Sequence, residues 1–487
     1  MTISKIDELV ADLRSVISPA SIILEATERS AYSCDGLLSH KAVPLVVIVP
    51  ESREELVTAV RAVIAAGLPW VARGAGTGLS GGALPDDEGI LIVTARLNKI
   101  LEIDAVAQIA VVEPGVVNLE LSKAVLPEGL YFAPDPSSQI ACTIGGNVAE
   151  NSGGAHCFKY GFTTHHVLGI ELLLPTGELV WLGGEGMDAP GPDLRGVVIG
   201  SEGTLGIVTR IVCRLLPLPE IRRTLVAYFD SVADAARAVS DVVAQGITPA
   251  AIEMMDHLAI EACELATGAG LDTSATSCLL LELDGEADEV VAEFRAVGAL
   301  MREHGSSHVW EAADERERAL MWLARKAAFA AAGRVAPAYI VQDGVVPRSA
   351  LPRVLEGIGR LGEESALAIL NVFHAGDGNL HPLVTYDPAI PGQEERAEEV
   401  AAKILKLCLD EGGSLTGEHG IGVDKVCHMP DMFSDEDLAA FGRLRFAFDP
   451  LERCNRGKLL PTPRLCGERP GRYVPHPLEV TGRGERW

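Results

Sequence analysis

The chain lacks a surplus of basic side chains. Its 41 lysines and arginines face 68 aspartates and glutamates, for a formal net charge of −27. A surface of that sign does not displace counterions from phosphates, which excludes non-specific nucleic-acid binding as a main activity. It also lacks any apolar run near the roughly 20 residues that a membrane span needs. The opening "MTISKIDELVADLRS" has no signal-peptide core and is spaced like a short amphipathic helix. The expectation is a soluble, cytosolic protein. Cysteines occur, but not in clusters: Cys34, Cys142, Cys157, Cys213, Cys263, Cys278, Cys408, Cys427, Cys454 and Cys466 include no CxxC pair. An iron–sulfur centre or zinc knuckle therefore has no ligand set in this chain, and the thiols read as isolated buried side chains in a reducing compartment. With 487 residues, 48% hydrophobic and 22% charged, the composition is that of a globular protein of two or three domains.

The first recognisable unit is βαβ. "PLVVIVP" (44–50) is an apolar run closed by proline, which suits a buried strand. "ESREELVTAVRAVIAAG" follows, with a capping-box pair, Ser52 and Glu55, apolar residues at helical spacing, and Gly67 at its end. "LPWVAR" reads as a second strand. It runs into "VARGAGTGLSGGALP" (71–85), where Gly76-Thr-Gly78-Leu-Ser-Gly81 satisfies GxGxxG. A dinucleotide fingerprint must open directly into a helix. Here Pro85, Asp86-Asp87 and Gly89 intervene, and the next apolar run, "GILIVTARL", is itself a strand candidate. The match is read as accidental. The glycines are read instead as an anion nest, in which bare backbone N–H groups line a concave loop and no Cβ keeps a diphosphate away. Thr77 and Ser80 would add hydroxyl donors. Two further glycine-rich stretches, "PDPSSQIACTIGGNVAENSGGAHCFKYG" (134–161) and "IGSEGTLGIVTRIVCRLLPLPE" (199–220), each end near a β-rich segment. Three such clusters imply one extended ligand threaded through a β-rich α+β domain.

After Pro217 and Pro219 the texture changes. "TLVAYFDSVADAARAVSDVVAQG" and "SCLLLELDGEADEVVAEFRAVGALMREHG" each read strand-then-helix, and "DERERALMWLARKAAFAAAG" is helical before a strand, "APAYIVQDGVVP". The order fits an antiparallel sheet with helices on one side. The sharpest constellation is "NVFHAGDGNLHP" (371–382) with "SLTGEHGIG" (414–422). Gly376 and Gly378 can reverse the chain so that His374 and His381 converge, and Glu418 follows between Gly417 and Gly420. Two imidazoles and a carboxylate suit Zn²⁺, Mn²⁺ or Fe²⁺, with coordination positions left open. Asp377 and Asn379 are read as shaping that loop.

"RGAGTGLSGGALP", "PDPSSQIACTIGGNVAENSGG" and "GSEGTLGIVT" together resemble the FAD-binding domain of the vanillyl-alcohol-oxidase/p-cresol-methylhydroxylase superfamily. Within it the chain resembles the FAD-linked D-2-hydroxy-acid dehydrogenases, most closely the FAD-binding subunits of bacterial glycolate oxidases, from about residue 30 to about 465. The resemblance implies an α+β chain with an N-terminal helical segment (1–40) and an FAD-binding domain (41–219). A substrate and metal domain (220–465) follows, built on an antiparallel sheet, with a C-terminal segment returning to the flavin and a loosely ordered tail (466–487). It places Arg73, Gly74, Ala75, Gly76, Thr77 and Gly78 on the FAD diphosphate. Gly145, Gly146, Asn147, Ser152 and Gly153 would lie by the ribityl chain and isoalloxazine, and Glu202, Gly203, Thr204, Gly206 and Ile207 at the adenine half. Asn455 and Lys458 would contact flavin, although Arg456 stands where the family has proline. No His or Tyr lies between Arg73 and Pro85, so the flavin is expected to be noncovalent.

By the same resemblance a divalent metal held by His374, His381 and Glu418 grips the substrate, His419 is the catalytic base, and Arg325 clamps the substrate carboxylate. The positions that bind a second carboxylate in hydroxyglutarate-specific relatives correspond to Val341 and Leu383, which favours glycolate or D-lactate. The implied partners are a second FAD-type subunit and an iron–sulfur subunit, with peripheral membrane association through them. A stand-alone D-lactate dehydrogenase is the alternative. A noncatalytic flavoprotein scaffold and a metal-dependent hydrolase fit the residues less well.

Overall fold

The computed structural model describes residues 3–186 and 190–461. The segment 466–487, expected to be a loose tail, lies outside the described residues, as does Cys466.

After the N-terminal helix α1 (Ile3–Val16) comes a sheet of β1 (Ile22–Ile23), β2 (Val46–Ile48), β3 (Trp70–Arg73) and β4 (Ile90–Val93), in the order β1-β2-β4-β3. Helix α2 (Arg53–Ala66) crosses from β2 to β3, and both strands run parallel to β4 between them. The Ser52 side chain accepts the Glu55 N–H, and Gly67 closes the helix in the left-handed region at φ 70°. The expected capping box forms only by half. The Glu55 carboxylate accepts from Glu51 N and Ser18 N and so fastens the segment after α1.

A second sheet follows, made of β5 (Ile100–Asp104), β6 (Ile109–Val112), β7 (Val167–Leu173), β8 (Leu179–Gly183) and β9 (Ile207–Arg214), antiparallel in the order β5-β6-β9-β7-β8. The short helix α3 (Ile144–Glu150) packs on it through Ile144 and Val148. Arg53, the first residue of α2, ties that helix to β7 through a two-point contact with Glu171, at 2.6 and 2.7 Å.

Beyond Leu218 the chain builds a seven-stranded, wholly antiparallel sheet. Its strands are β10 (Ile221–Phe229), β11 (Ala251–Asp256), β12 (Ser277–Gly285), β13 (His308–Glu311), β14 (Ala338–Val341), β15 (Ile369–His374) and β16 (Pro382–Tyr386), ordered β13-β10-β12-β11-β15-β16-β14. The helices do not keep to one side. One face is covered by α4 (Val232–Ala244), α6 (Ala287–Glu303), α9 (Leu351–Ser365) and α10 (Gln393–Asp410). The other is covered by α5 (His257–Thr267), α7 (Glu315–Lys326) and α8 (Ala328–Ala332). The strands show why. In "TLVAYF" Leu225, Ala227 and Phe229 join the first core while Val226 and Tyr228 join the second, so both faces are apolar and both need a cover.

The C-terminal segment returns to the first domain. Trp70 N donates to Arg453 O and Asn455 N to Trp70 O, which lays residues 453–455 alongside β3.

Charged side chains lock the two halves together. His156, in the glycine-rich segment before residue 161, meets Asp135 Oδ2 through Nδ1 at 2.8 Å and Glu282 Oε1 on β12 through Nε2 at 3.4 Å. Glu282 also accepts from Arg318, Trp322 and Thr224. Burial alone would lower the His156 pKa, but the two carboxylates push it up to about 10. The folded value exceeds the unfolded one, so this contribution to stability is full below about pH 6.5 and is lost as pH rises through about 10. His156→Gln should lower the unfolding free energy by about 3 kcal/mol at pH 7. Denaturant titrations at stepped pH should show the gap from wild type narrowing towards pH 10, and a gap that stays constant would refute the lock.

Candidate active site

Between the glycine loop and the seven-stranded sheet lies a cavity of about 430 Å³. Arg73, Gly74, Ala75, Gly76, Thr77 and Gly78 border it, as do Gly145, Gly146, Asn147 and Ser152, and Glu202, Gly203, Gly206 and Ile207. Lys326, Phe329, Tyr339, Glu418 and His419 border the same space. All three glycine-rich stretches thus reach one cavity, and its far wall carries the expected base. Gly153, Thr204 and Asn455 are not on its wall. Gly153 packs on Glu418, where an added Cβ would come within 2.8 Å of Oε2. Thr204 is buried and donates to Ser201 O at 2.7 Å.

Several of these residues also brace the cradle through hydrogen bonds to neighbouring segments. The Arg73 guanidinium donates to Tyr32 O and Cys34 O and lies directly beneath Gly76. Ser80 is not a donor to the cavity, since its hydroxyl donates to His419 O at 2.7 Å and ties the glycine loop to the loop of the base. Asn455 Nδ2 donates to Gly82 O and Glu202 O, and Lys458 Nζ to Gly82 O and Leu84 O. The C-terminal segment therefore pins the end of the loop. Arg456, in the family's proline position, pairs with Asp86 and Glu88. The Glu202 carboxylate accepts Ile421 N and Gly422 N, both at 2.7 Å.

The cavity wall fits a flavin dinucleotide on two observations. Asn147 Nδ2 and Glu150 Oε2 are buried there without a hydrogen-bond partner. An added Cβ on Gly78 or Gly203 would find its nearest neighbour only at 3.9 Å, so both backbones present open faces. Gly78→Val should therefore yield a folded protein that purifies without FAD, checked by flavin absorbance and by a melting temperature matching that of FAD-stripped wild type. Stoichiometric flavin in that variant would move the cradle elsewhere. Gly76 is a poorer probe. At φ +71° any side chain is strained, and its Cβ would strike Arg73.

At the other end, β15 finishes on His374 and β16 begins after His381, with the reversal made at Gly378 (φ +81°). Asp377 Oδ1 accepts Asn379 N inside this turn at 3.1 Å, in keeping with a shaping role. His374 Nε2 and His381 Nε2 lie 3.5 and 3.2 Å from Glu418 Oε1. Both His381 ring nitrogens are buried without a hydrogen-bond partner, and orphaned imidazole nitrogens beside a carboxylate fit a divalent metal. Burial opposes the charge on Glu418, but the two imidazoles hold it well below the usual carboxylate range. His419 stacks on His381 with ring centroids 4.8 Å apart, and its Nε2 is 3.7 Å from Glu418 Oε1. Burial pushes its pKa down to about 4, so the ring is neutral. His381 also belongs to a second possible ligand group with Asp343 and His419.

Two residues that organise this centre escaped the sequence reading. Asp343, fully buried after β14, accepts through Oδ2 from Thr416 Oγ1 and from the backbone N–H groups of Gly417, Glu418 and His419. Burial would raise its pKa, yet His419, Lys425 and His381 hold it at about 2. Glu253 on β11 accepts from His374 Nδ1 at 2.7 Å. Arg325 faces a carboxylate of the protein itself. It is 4% exposed, and its Nε and Nη2 both contact Glu253 Oε2, at 2.7 and 2.6 Å. Val341 and Leu383 are cross-strand neighbours in the apolar core under α8, with no charge between them.

A flavin-sized cleft held by backbone, opening onto a histidine–carboxylate centre in a second antiparallel domain, defines a flavoprotein oxidoreductase. An FAD binding domain model matches residues 44–183, and a model of the C-terminal domain of FAD linked oxidases matches residues 218–459. The chain belongs to the FAD-linked oxidase family. It is 48% identical to glycolate oxidase subunit GlcD of Escherichia coli (strain K12), across 95% of this chain and 93% of that protein. It is 31% identical to a D-lactate dehydrogenase of Archaeoglobus fulgidus, across 85% of this chain and 91% of that one. The solved p-cresol methylhydroxylase shares the fold at a TM-score of 0.78 and 15% identity, covering 93% of this chain and 96% of its own.

Proposed function

We propose that this chain oxidises a small 2-hydroxy acid, glycolate or D-lactate, to the 2-oxo acid, as the catalytic large subunit of a glycolate oxidase. The observation that carries the reading is the single cavity running from the glycine cradle to Glu418 and His419. The similarity to GlcD over nearly the whole of both chains supports the choice of reaction. Noncovalent FAD would supply the hydride acceptor, and a divalent ion (Zn²⁺, Mn²⁺ or Fe²⁺) a Lewis acid that lowers the pKa of the substrate hydroxyl.

This chain's residues would do the rest. His374, His381 and Glu418 hold the ion, with Gly153 giving Glu418 room. His419 takes the hydroxyl proton at Nε2, the nitrogen beside Glu418, while Asp343 and Ser80 fix its backbone. Lys326, exposed at the end of α7 and bordering the cavity, meets the substrate carboxylate. Val341 and Leu383 offer nothing to a second carboxylate, which favours a monoacid.

The described residues include no helix long and apolar enough to cross a membrane, and among them no group of cysteines is gathered for an electron relay. Electrons would leave through a second FAD-type subunit and an iron–sulfur subunit, with this chain cytoplasmic or peripheral at the membrane's inner face. The purified chain should bleach its flavin anaerobically with glycolate or D-lactate and reduce artificial dyes, yet reduce quinone poorly without those partners. Efficient quinone reduction by the chain alone would favour the stand-alone D-lactate dehydrogenase. Failure of every 2-hydroxy acid in a panel to bleach the flavin would overturn both readings.

A further inference from the structure

Helix α3 turns two polar side chains towards the flavin cavity from one face. Asn147 and Glu150 stand three residues apart, and both border the cavity. Neither Asn147 Nδ2 nor Glu150 Oε2 has a hydrogen-bond partner. The amide is a donor by nature. The carboxylate is the anomaly, because the same cavity must take up a diphosphate, which an anion on its wall would repel.

The surroundings of Glu150 decide its charge. Oε1 lies against the glycine loop, where an added Cβ would come within 2.6 Å of it on Gly82 and 3.9 Å on Gly78. Oε2 lies against Gly420, and a Cβ built there would come within 2.5 Å of it and within 2.9 Å of Glu202 Oε1. Two carboxylates thus flank one glycine, and of the two only Glu202 has donors, the N–H groups of Ile421 and Gly422. The nearby cations are already engaged. Lys458 Nζ donates to Gly82 O and Leu84 O, and Lys425 Nζ to Gly420 O. Burial first, then the charges of Glu202 and Asp35, push the Glu150 pKa well above the usual carboxylate range, against the pull of Lys458 and Lys425. Burial raises Glu202 too, but its two backbone donors favour the charged form, so Glu150 is the one that takes the proton. Its place in the last turn of α3 also disfavours a negative charge.

We propose that Glu150 binds FAD as a carboxylic acid, donating a hydrogen bond to an oxygen of the dinucleotide beside the glycine loop. The inference rests on the reading of residues 73–78 as the diphosphate cradle. A neutral acid at this place removes a repulsion and adds a donor to those of the loop backbone and Asn147 Nδ2.

The test is titration of FAD into the FAD-stripped protein, read by the change in flavin fluorescence, with the melting temperature of each stripped variant as the control for folding. E150M removes the donor and should bind FAD about 10–100-fold more weakly than wild type. E150Q keeps a neutral donor on a side chain of the same length and should bind FAD nearly as wild type does. A carboxylate that worked as an anion would be lost in both variants alike, so equal weakening in E150Q and E150M would overturn the inference. Wild-type affinity in E150M would overturn it as well. As pH rises, wild type should lose affinity relative to E150Q, because the acid gives up its proton and the amide does not. Lys458, pushed down to about 8 by burial, loses its charge in both proteins and cancels from the comparison. A relative gain of wild type with rising pH would overturn the acid form. If E150M does not fold, weak FAD binding by E150Q overturns the inference on its own. Stoichiometric FAD in Gly78→Val would instead remove the cradle reading itself.

Discussion

His419→Gln should give a yellow, folded protein whose flavin is reduced by the hydroxy acid at least about a hundredfold more slowly, the usual weight of a positioned base. Glutamine keeps a polar side chain of similar reach but cannot take a proton. The loop should stay in place, because it is held by backbone groups. His419 N donates to Asp343 Oδ2 at 2.8 Å, and His419 O accepts from Ser80 Oγ at 2.7 Å. Stopped-flow reduction under anaerobic conditions reads the rate directly, and Mn²⁺ titration of the same variant reads the ligand set. Retained Mn²⁺ affinity with lost rate is the expected pair. Lost Mn²⁺ affinity would show instead that the group formed by Asp343, His381 and His419 is the one that holds the ion.

The parts of this architecture legible in the sequence are those made by neighbours in the chain. Ser52 and Gly67 bracket α2 because capping is local chemistry. "HAGDGNLH" brings its two imidazoles together because a short turn joins adjacent antiparallel strands. The Pro85-Asp-Asp interruption that argued against a dinucleotide fold corresponds to a loop leading straight into β4. Contacts set by register between distant segments stayed hidden. Glu253 and His374 are 121 residues apart in the chain, and only the pairing of β11 with β15 makes them partners. One signal was available, since a glutamate between Ile252 and Met254 in "AIEMM" is a charge inside an otherwise apolar strand and therefore demands a counter-charge. The same argument applies to Glu282 in "LLLELDG". Arg325 takes its substrate role from the family resemblance, and its contact with Glu253 is another pairing between segments distant in the chain. Which face of the sheet α7 and α8 cover depends on how the chain crosses an edge, and helical periodicity carries no record of that.

Chelation of the wild-type protein, or His381→Ala, should abolish reduction by substrate while the oxidised flavin spectrum persists. A Lewis acid at the hydroxyl contributes several kcal/mol in the transition state, so the rate should fall by roughly three orders of magnitude. The flavin should stay because His381 is buried away from the cavity wall, between Phe329 and the stacked ring of His419. The two perturbations should then part company. Added Mn²⁺ should restore the chelated wild-type protein and leave His381→Ala inactive, since His374 and Glu418 alone are two ligands where three are needed to hold an ion against water. Melting temperature controls for the void left by the imidazole, and metal analysis by mass spectrometry confirms that each sample is empty. Full turnover by a sample shown to be metal-free would mean that His374, His381 and Glu418 act through hydrogen bonds alone, with the substrate hydroxyl deprotonated by His419 unaided.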